Sequence, residues 1–234
     1  MATLTCIDWQ AVFLAFAGSV LVTWYSIPRI LNVASIRHLN DLPGPVKIHK
    51  KEIPTLGGVG IFGGFIFGFL LAVNGNMEVV TYFTMTLLLL FFLGIKDDLI
   101  TLDPRKKLIA EIFTGIVLTY FTDIHFTNFH GFLGITDIPV WLSYLTTVFL
   151  VVVILNSLNL IDGIDGLAAS AGIIATIVLG VWFWLAGDTG YSIMAAALLG
   201  ALIVFLRFNL SNVQNNPFID YRYSFFLAFT MHYM

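Results

Sequence analysis

Five runs without a single Asp, Glu, Lys or Arg, at residues 9–28, 53–77, 138–161, 166–187 and 189–206, set the tightest limit on what this chain can fold into. Each is close to the roughly 20 apolar residues that cross a hydrocarbon core as a helix. Residues 79–95 are slightly shorter but strongly apolar, and 108–122 is broken only by Glu111 near one end, so both join the count. The expectation is an all-α fold, a polytopic transmembrane helix bundle with seven spans, forming a single domain over residues 1–234. A hydrophobic share of 59% with only 11% charged residues excludes an ordinary soluble domain. No loop between the runs exceeds roughly 30 residues, so any chemistry must be built from helix ends and short connections.

Charge placement gives the threading. The stretch after the first span holds Arg29, Arg37, Lys47, Lys50 and Lys51; the one after the third holds Lys96, Arg105, Lys106 and Lys107; Arg207 and Arg222 follow the seventh. Alternating spans put all 11 basic residues on one side, which the positive-inside rule makes cytoplasmic. The start carries Asp8, has no basic leader and no small-residue cleavage site, so the first span is expected to be retained with the N-terminus outside. The lone Cys6 forms no internal disulfide.

The same threading gathers acids. NSLNLIDGIDG at 156–166 carries Asp162 and Asp165, three apart and so on one side of a helical turn, each followed by a glycine that lets backbone approach a ligand. Asp97 and Asp98 follow the third span and fall on the same face as Asp162 and Asp165. Carboxylates beside lysines at a membrane surface suit a magnesium ion and a phosphorylated substrate, because magnesium takes hard oxygen ligands together with substrate phosphates. Phosphoryl transfer needs mainly positioning and charge stabilisation, which a few loop residues supply. Asp103 before Pro104 predicts a helix N-cap opening the fourth span. AGDTGYS at 186–192 predicts a tight turn on the opposite side of the bilayer. His125 and His130 are expected to be solvated in an outer loop, His49 to meet either phosphate or solvent, and Glu111 to reach the interface or face the site.

KIHKKEIPTLGG at 47–58, FLGIKDDLITLDPRKKL at 92–108, NSLNLIDGIDGLA at 156–168 and FLRFN at 205–209 resemble the polyprenyl-phosphate N-acetylhexosamine-1-phosphate transferases. That family includes the phospho-N-acetylmuramoyl-pentapeptide transferases, and the resemblance covers roughly residues 10–209. It implies a bundle of ten or eleven spans in the family, of which about seven are present here. It also implies magnesium-dependent transfer, with manganese as a substitute, of a sugar 1-phosphate from a UDP-sugar to a polyprenyl phosphate, releasing UMP. The implied setting is the cytoplasmic face of the inner membrane, in cell-wall or lipopolysaccharide biosynthesis, with room for a homodimer and no nucleic-acid partner. The N-acetylglucosamine branch is the better match, since no peptide-substrate signature is present.

Carried over by position, the resemblance implies Asp97 and Asp98 as the catalytic acids. It implies Lys50, Lys51, Lys106, Asn159 and Asp162 as substrate-binding residues, and Asp97, Asp162 and Asp165 as metal ligands. After FLRFN the family continues with a segment resembling PAxIFMGDxGS and later a histidine-rich loop; here the chain reads LSNVQNNPFIDYRYSFFLAFTMHYM. The expectation is therefore a C-terminus that is truncated or aberrant over 210–234, and a copy that is inactive as it stands.

Two other classes compete. A secondary transporter or channel also uses intramembrane acids, but these should lie mid-span, whereas the two aspartate pairs fall at span ends beside lysines. A CDP-alcohol phosphotransferase would carry DGxxAR, and here Asp165–Ala169 is followed by Ser170 with no arginine.

Overall fold

The structure, a computed structural model, describes residues 8–36, 40–41, 53–54, 57–73, 77–100, 103–129, 131, 138–161 and 166–210. Seven helices run in the order α1 (Trp9–Ile36), α2 (Gly57–Ala72), α3 (Met77–Ile100), α4 (Pro104–Thr122), α5 (Val140–Ile161), α6 (Leu167–Ala186) and α7 (Thr189–Leu210). Two strands of two residues each, β1 (Asn40–Asp41) and β2 (Ile53–Pro54), pair antiparallel within the α1–α2 connection. The fold is a polytopic membrane helix bundle, as the uncharged runs predict. Five helices, α1, α3, α5, α6 and α7, are long and apolar enough to cross a membrane. α2 is shorter at 16 residues, and α4 carries Arg105, Lys106, Lys107 and Glu111 in its first turns.

Several helices outrun the uncharged segments that predict them. α1 passes through Pro28, whose ring removes one backbone donor, and continues to Ile36. Arg29 folds back on it: the guanidinium lies 3.2 Å from the Tyr25 ring centroid and donates to the Tyr25 carbonyl at 3.0 Å, which satisfies the charge without ending the helix. α3 likewise continues past Ile95, so Lys96, Asp97 and Asp98 sit on its last turns and not in a loop.

The core is stitched by small residues. α2 runs antiparallel to α1, and a Cβ at Gly64 would land on Thr23 Oγ1 while one at Gly68 would meet the Ala15 carbonyl, so only glycine lets these backbones touch. α7 lies parallel to α1, with a Cβ at Gly200 falling 2.7 Å from the Phe16 carbonyl and the Trp24 and Phe208 rings 5.5 Å apart. α6 returns against α7, closed at its far end by the Phe183–Tyr191 stack at 4.9 Å. Ala169, Ala197, Ala201 and Phe205 are fully buried in this group.

α3, α4 and α5 form a second group, packed in series through Tyr82 on Phe121 and through Gly115 against Val148. The two groups meet at α2–α3 through ring pairs, Phe62 stacked on Phe91 at 4.0 Å and Phe69 against Phe83 at 6.1 Å. Phe92, Phe149 and Ile154 are exposed on the outer faces of α3 and α5, as suits contact with lipid.

The remaining local expectations can be placed. Asp103 caps α4, accepting from the Arg105 amide at 2.9 Å, with proline next. AGDTGYS is a helix–helix turn: Gly187 adopts φ 80°, and Asp188 accepts from the Tyr191 amide at 3.2 Å to open α7. His125 is only partly exposed: it stacks on Tyr144 at 4.8 Å and its Nδ1 approaches the Asp123 carbonyl at 3.0 Å. Cys6, His49 and His130 lie outside the described residues.

Candidate active site

Successive helices alternate in direction, so their ends collect at two poles. One pole gathers the ends of α1, α3, α5 and α7 with the starts of α2, α4 and α6. Contacts along the helices fix this: Ile27 meets Gly60, Lys107 meets Asp97, Glu111 meets Asn156, and Gly166 meets Leu206 and Leu210. Every Lys and Arg among the described residues lies there, namely Arg29, Lys96, Arg105, Lys106, Lys107 and Arg207. Asp188 lies at the other pole, with Asp8 and Asp123.

The basic pole carries polar contacts between α3 and α4 and between α4 and α5. Asp97, on the end of α3, accepts from Lys107 Nζ at 3.1 Å, and both side chains are 11% exposed. Lys107 sits in the first turn of α4, and Glu111, one turn later on the same face, is fully buried. Glu111 Oε2 accepts from Asn156 Nδ2 at 2.6 Å, which joins α4 to α5. Asn159, three residues further, is buried in the last turns of that helix.

Two helix ends at this pole, those of α3 and α4, carry the wrong sign for their dipoles. α3 ends on Asp97 and Asp98, where the macrodipole is negative, and α4 starts on Arg105, Lys106 and Lys107, where it is positive. Each arrangement is unfavourable alone, and the Lys107–Asp97 pair offsets both. Placing charges against local preference at a buried pole is the mark of a site more than of a packing solution.

Gly166 stands at this pole, at the start of α6. Its φ of 75° turns the chain into α6, and a Cβ there would be strained and would lie 2.9 Å from Leu210 Cδ2. Asp162 and Asp165 lie outside the described residues, as do Lys50 and Lys51, but Ile161 and Gly166 on either side of the aspartates belong to this pole. Asp98 is on the α3 backbone with its side chain outside the described set. Lys106 is exposed, whereas Lys107, which is not among the expected site residues, faces Asp97. Asn156 is also absent from the expected site, while Glu111 takes the second of its two expected places and faces it. A search for the lysine four residues before a buried acid would have found Lys107 and Glu111; nothing local would have joined Glu111 to Asn156, 45 residues away.

The described residues therefore define a membrane-embedded bundle with an acid–lysine–amide cluster at one pole. The family model for glycosyl transferase family 4 matches residues 80–231, and the chain belongs to that family. The match spans the Asp97, Lys107, Glu111 and Asn156 positions and continues beyond Asn209. The chain is 28% identical to a phospho-N-acetylmuramoyl-pentapeptide-transferase of Campylobacter curvus, over 84% of this chain and 64% of that protein. It is 28% identical to a probable undecaprenyl-phosphate N-acetylglucosaminyl 1-phosphate transferase of Bacillus subtilis, over 85% and 55% respectively. It is 25% identical to the undecaprenyl-phosphate alpha-N-acetylglucosaminyl 1-phosphate transferase of Escherichia coli K12, over 74% and 47%. The chain thus spans about half to two-thirds of the length of these relatives.

Proposed function

We propose that this chain transfers a sugar 1-phosphate from a UDP-sugar to a polyprenyl phosphate at the cytoplasmic membrane face, releasing UMP. N-acetylglucosamine 1-phosphate is the group we assign, for the start of a cell-envelope polysaccharide. The observation that supports this reading most is the cluster itself: Asp97 paired with Lys107 and Glu111 with Asn156 at three helix ends, in a chain of this family.

In this reading the basic pole is cytoplasmic, because a positive excess marks that side. Lys107 and the basic start of α4 lower the cost of bringing two phosphorylated substrates together, and Asp97 and Asp98 act on the attacking lipid phosphate. Asn159 and Asp162 orient the nucleotide, and the exposed Lys106, with Lys50 and Lys51, meets phosphate from the water side. The donor set consists of carboxylate oxygens, which fits a hard divalent cation; Asp97, Asp162 and Asp165 would hold magnesium, or manganese in its place. Such an ion, when bound, would supply positive charge against the substrate phosphates. Among the described residues no group of three metal-binding side chains converges; Asp162 and Asp165 lie outside those residues.

The Asp97–Lys107 pair sits at a helix end, which favours this reading over a transporter or channel, whose acids belong mid-span. The test is UMP release from UDP-N-acetylglucosamine with undecaprenyl phosphate and magnesium. It is made on this chain in membranes and on a form carrying the relatives' further length. Release that Asp98→Asn abolishes supports the proposal; release that is indifferent to Asp98, or none in either form, refutes it.

A further inference from the structure

We propose that Glu111 is a positioning residue that locks the last turns of α5 onto the acid–lysine pair of α3 and α4. Its role in the reaction rests on the transferase reading above; its grip on α5 does not.

Three observations carry the inference. Glu111 has no exposed surface, and its Oε2 accepts from Asn156 Nδ2 at 2.6 Å. The same amide nitrogen also donates to the Val152 carbonyl at 2.9 Å, one turn back on α5. Both hydrogens are thereby committed, and because both partners are acceptors the amide nitrogen must be the atom facing them. Asn156 is pinned to its own helix, so the bond from Glu111 grips the α5 backbone and not a free rotor.

The second oxygen of Glu111 is buried without a hydrogen-bond partner among the described residues. An apolar residue of the same size would pack α4 on α5 at lower cost, so a half-satisfied carboxyl group is a poor choice for packing alone. What it supplies is direction. Asn159 lies three residues after Asn156 and is buried on the same side of α5, and Ile161 then leads into 162–165. A rotation of α5 by one residue would carry Asn159 about 100° away from α4. Glu111 therefore sets which groups α5 presents to Asp97 and Lys107.

The test uses single-cysteine reporters in a Cys6→Ser background: one at Ile161, the last residue of α5, and a control at the exposed Trp141 near the start of the same helix. Maleimide labelling is followed in membranes. We expect Glu111→Leu to raise labelling at 161 by about tenfold, the change that loss of one hydrogen bond to a charged group brings, with the control unchanged. Glu111→Gln keeps an acceptor oxygen and should leave both rates near the starting values. Equal rates at 161 in Glu111→Leu, or a rise at both reporters, overturn the proposal.

Where Glu111→Leu does not fold, Asn156→Asp breaks the contact instead, and Glu111→Gln with Asn156→Asp remakes it with donor and acceptor exchanged; failure of the double variant to restore protection overturns the proposal. In the UMP assay Glu111→Leu should lower kcat by about tenfold with little change in KM. Lost turnover without a change in labelling also overturns it, because Glu111 would then act on substrate directly. A starting protein with no turnover in either form removes the transferase reading and leaves the labelling result to decide the grip on α5.

Discussion

Lys107 Nζ and Asp97 Oδ2, 3.1 Å apart, close the α3–α4 hairpin with a nearly buried ion pair between two helix ends that each carry the sign their dipoles disfavour. Breaking such a pair from one side leaves an uncompensated charge. Lys107→Met is expected to destabilise the protein by about 3 kcal/mol, and Asp97→Asn with Lys107→Met to recover most of that. The neighbouring Lys106 is exposed, so Lys106→Met should stay within about 0.5 kcal/mol. Denaturant melts in detergent make the comparison, and equal losses at 106 and 107 would remove the pair from its role.

Turnover should follow the opposite order from stability. Asp97→Asn leaves a hydrogen-bonding group of the same shape facing Lys107, so the melt should move less than that of Lys107→Met. UMP release should nevertheless fall by about 100-fold or more, because the negative charge at the phosphate site is gone. Parallel losses of stability and rate would mean that Asp97 serves the fold alone.

Gly166 is the backbone hinge into α6. Gly166→Ala must hold a φ of 75° and place a methyl 2.9 Å from Leu210 Cδ2. The expected cost is about 1–2 kcal/mol. Calorimetry reads it directly, and an unchanged melting point would show that the turn has relaxed.

The two poles should report opposite compartments. A reporter fused after Gly190, at the start of α7, is expected on the extracytoplasmic side, and one fused at Asp103, between α3 and α4, on the cytoplasmic side. Inverted signals would reverse the threading and carry the proposed site to the wrong side of the membrane.

Much of the bundle was legible because lipid leaves a chain few options: long uncharged runs became helices, and Asp103–Pro104 marked the start of α4. The ends were misjudged for one reason. Counting to the first charge stops at Pro28 and Ile95, whereas a backbone keeps its hydrogen bonds as long as the side chains find partners, as Arg29 does on Tyr25 and Asp97 on Lys107. At the site, motif letters pointed to Lys106, and helical spacing would have pointed to Lys107. The Glu111–Asn156 contact depends on how α4 settles on α5, a tertiary fact that no local pattern encodes.

The joint between the two helix groups differs in kind from the packing inside the first. α1, α2 and α7 touch through glycine with backbones in contact, while α2 and α3 reach each other mainly through phenylalanine rings such as Phe62 and Phe91. Rings can slip past one another by changing rotamer, and backbones wedged against glycine cannot. Hydrogen exchange in micelles should accordingly resolve two cooperative units, with α3–α5 opening first and the α1–α2–α6–α7 group persisting as a scaffold on which they can close again.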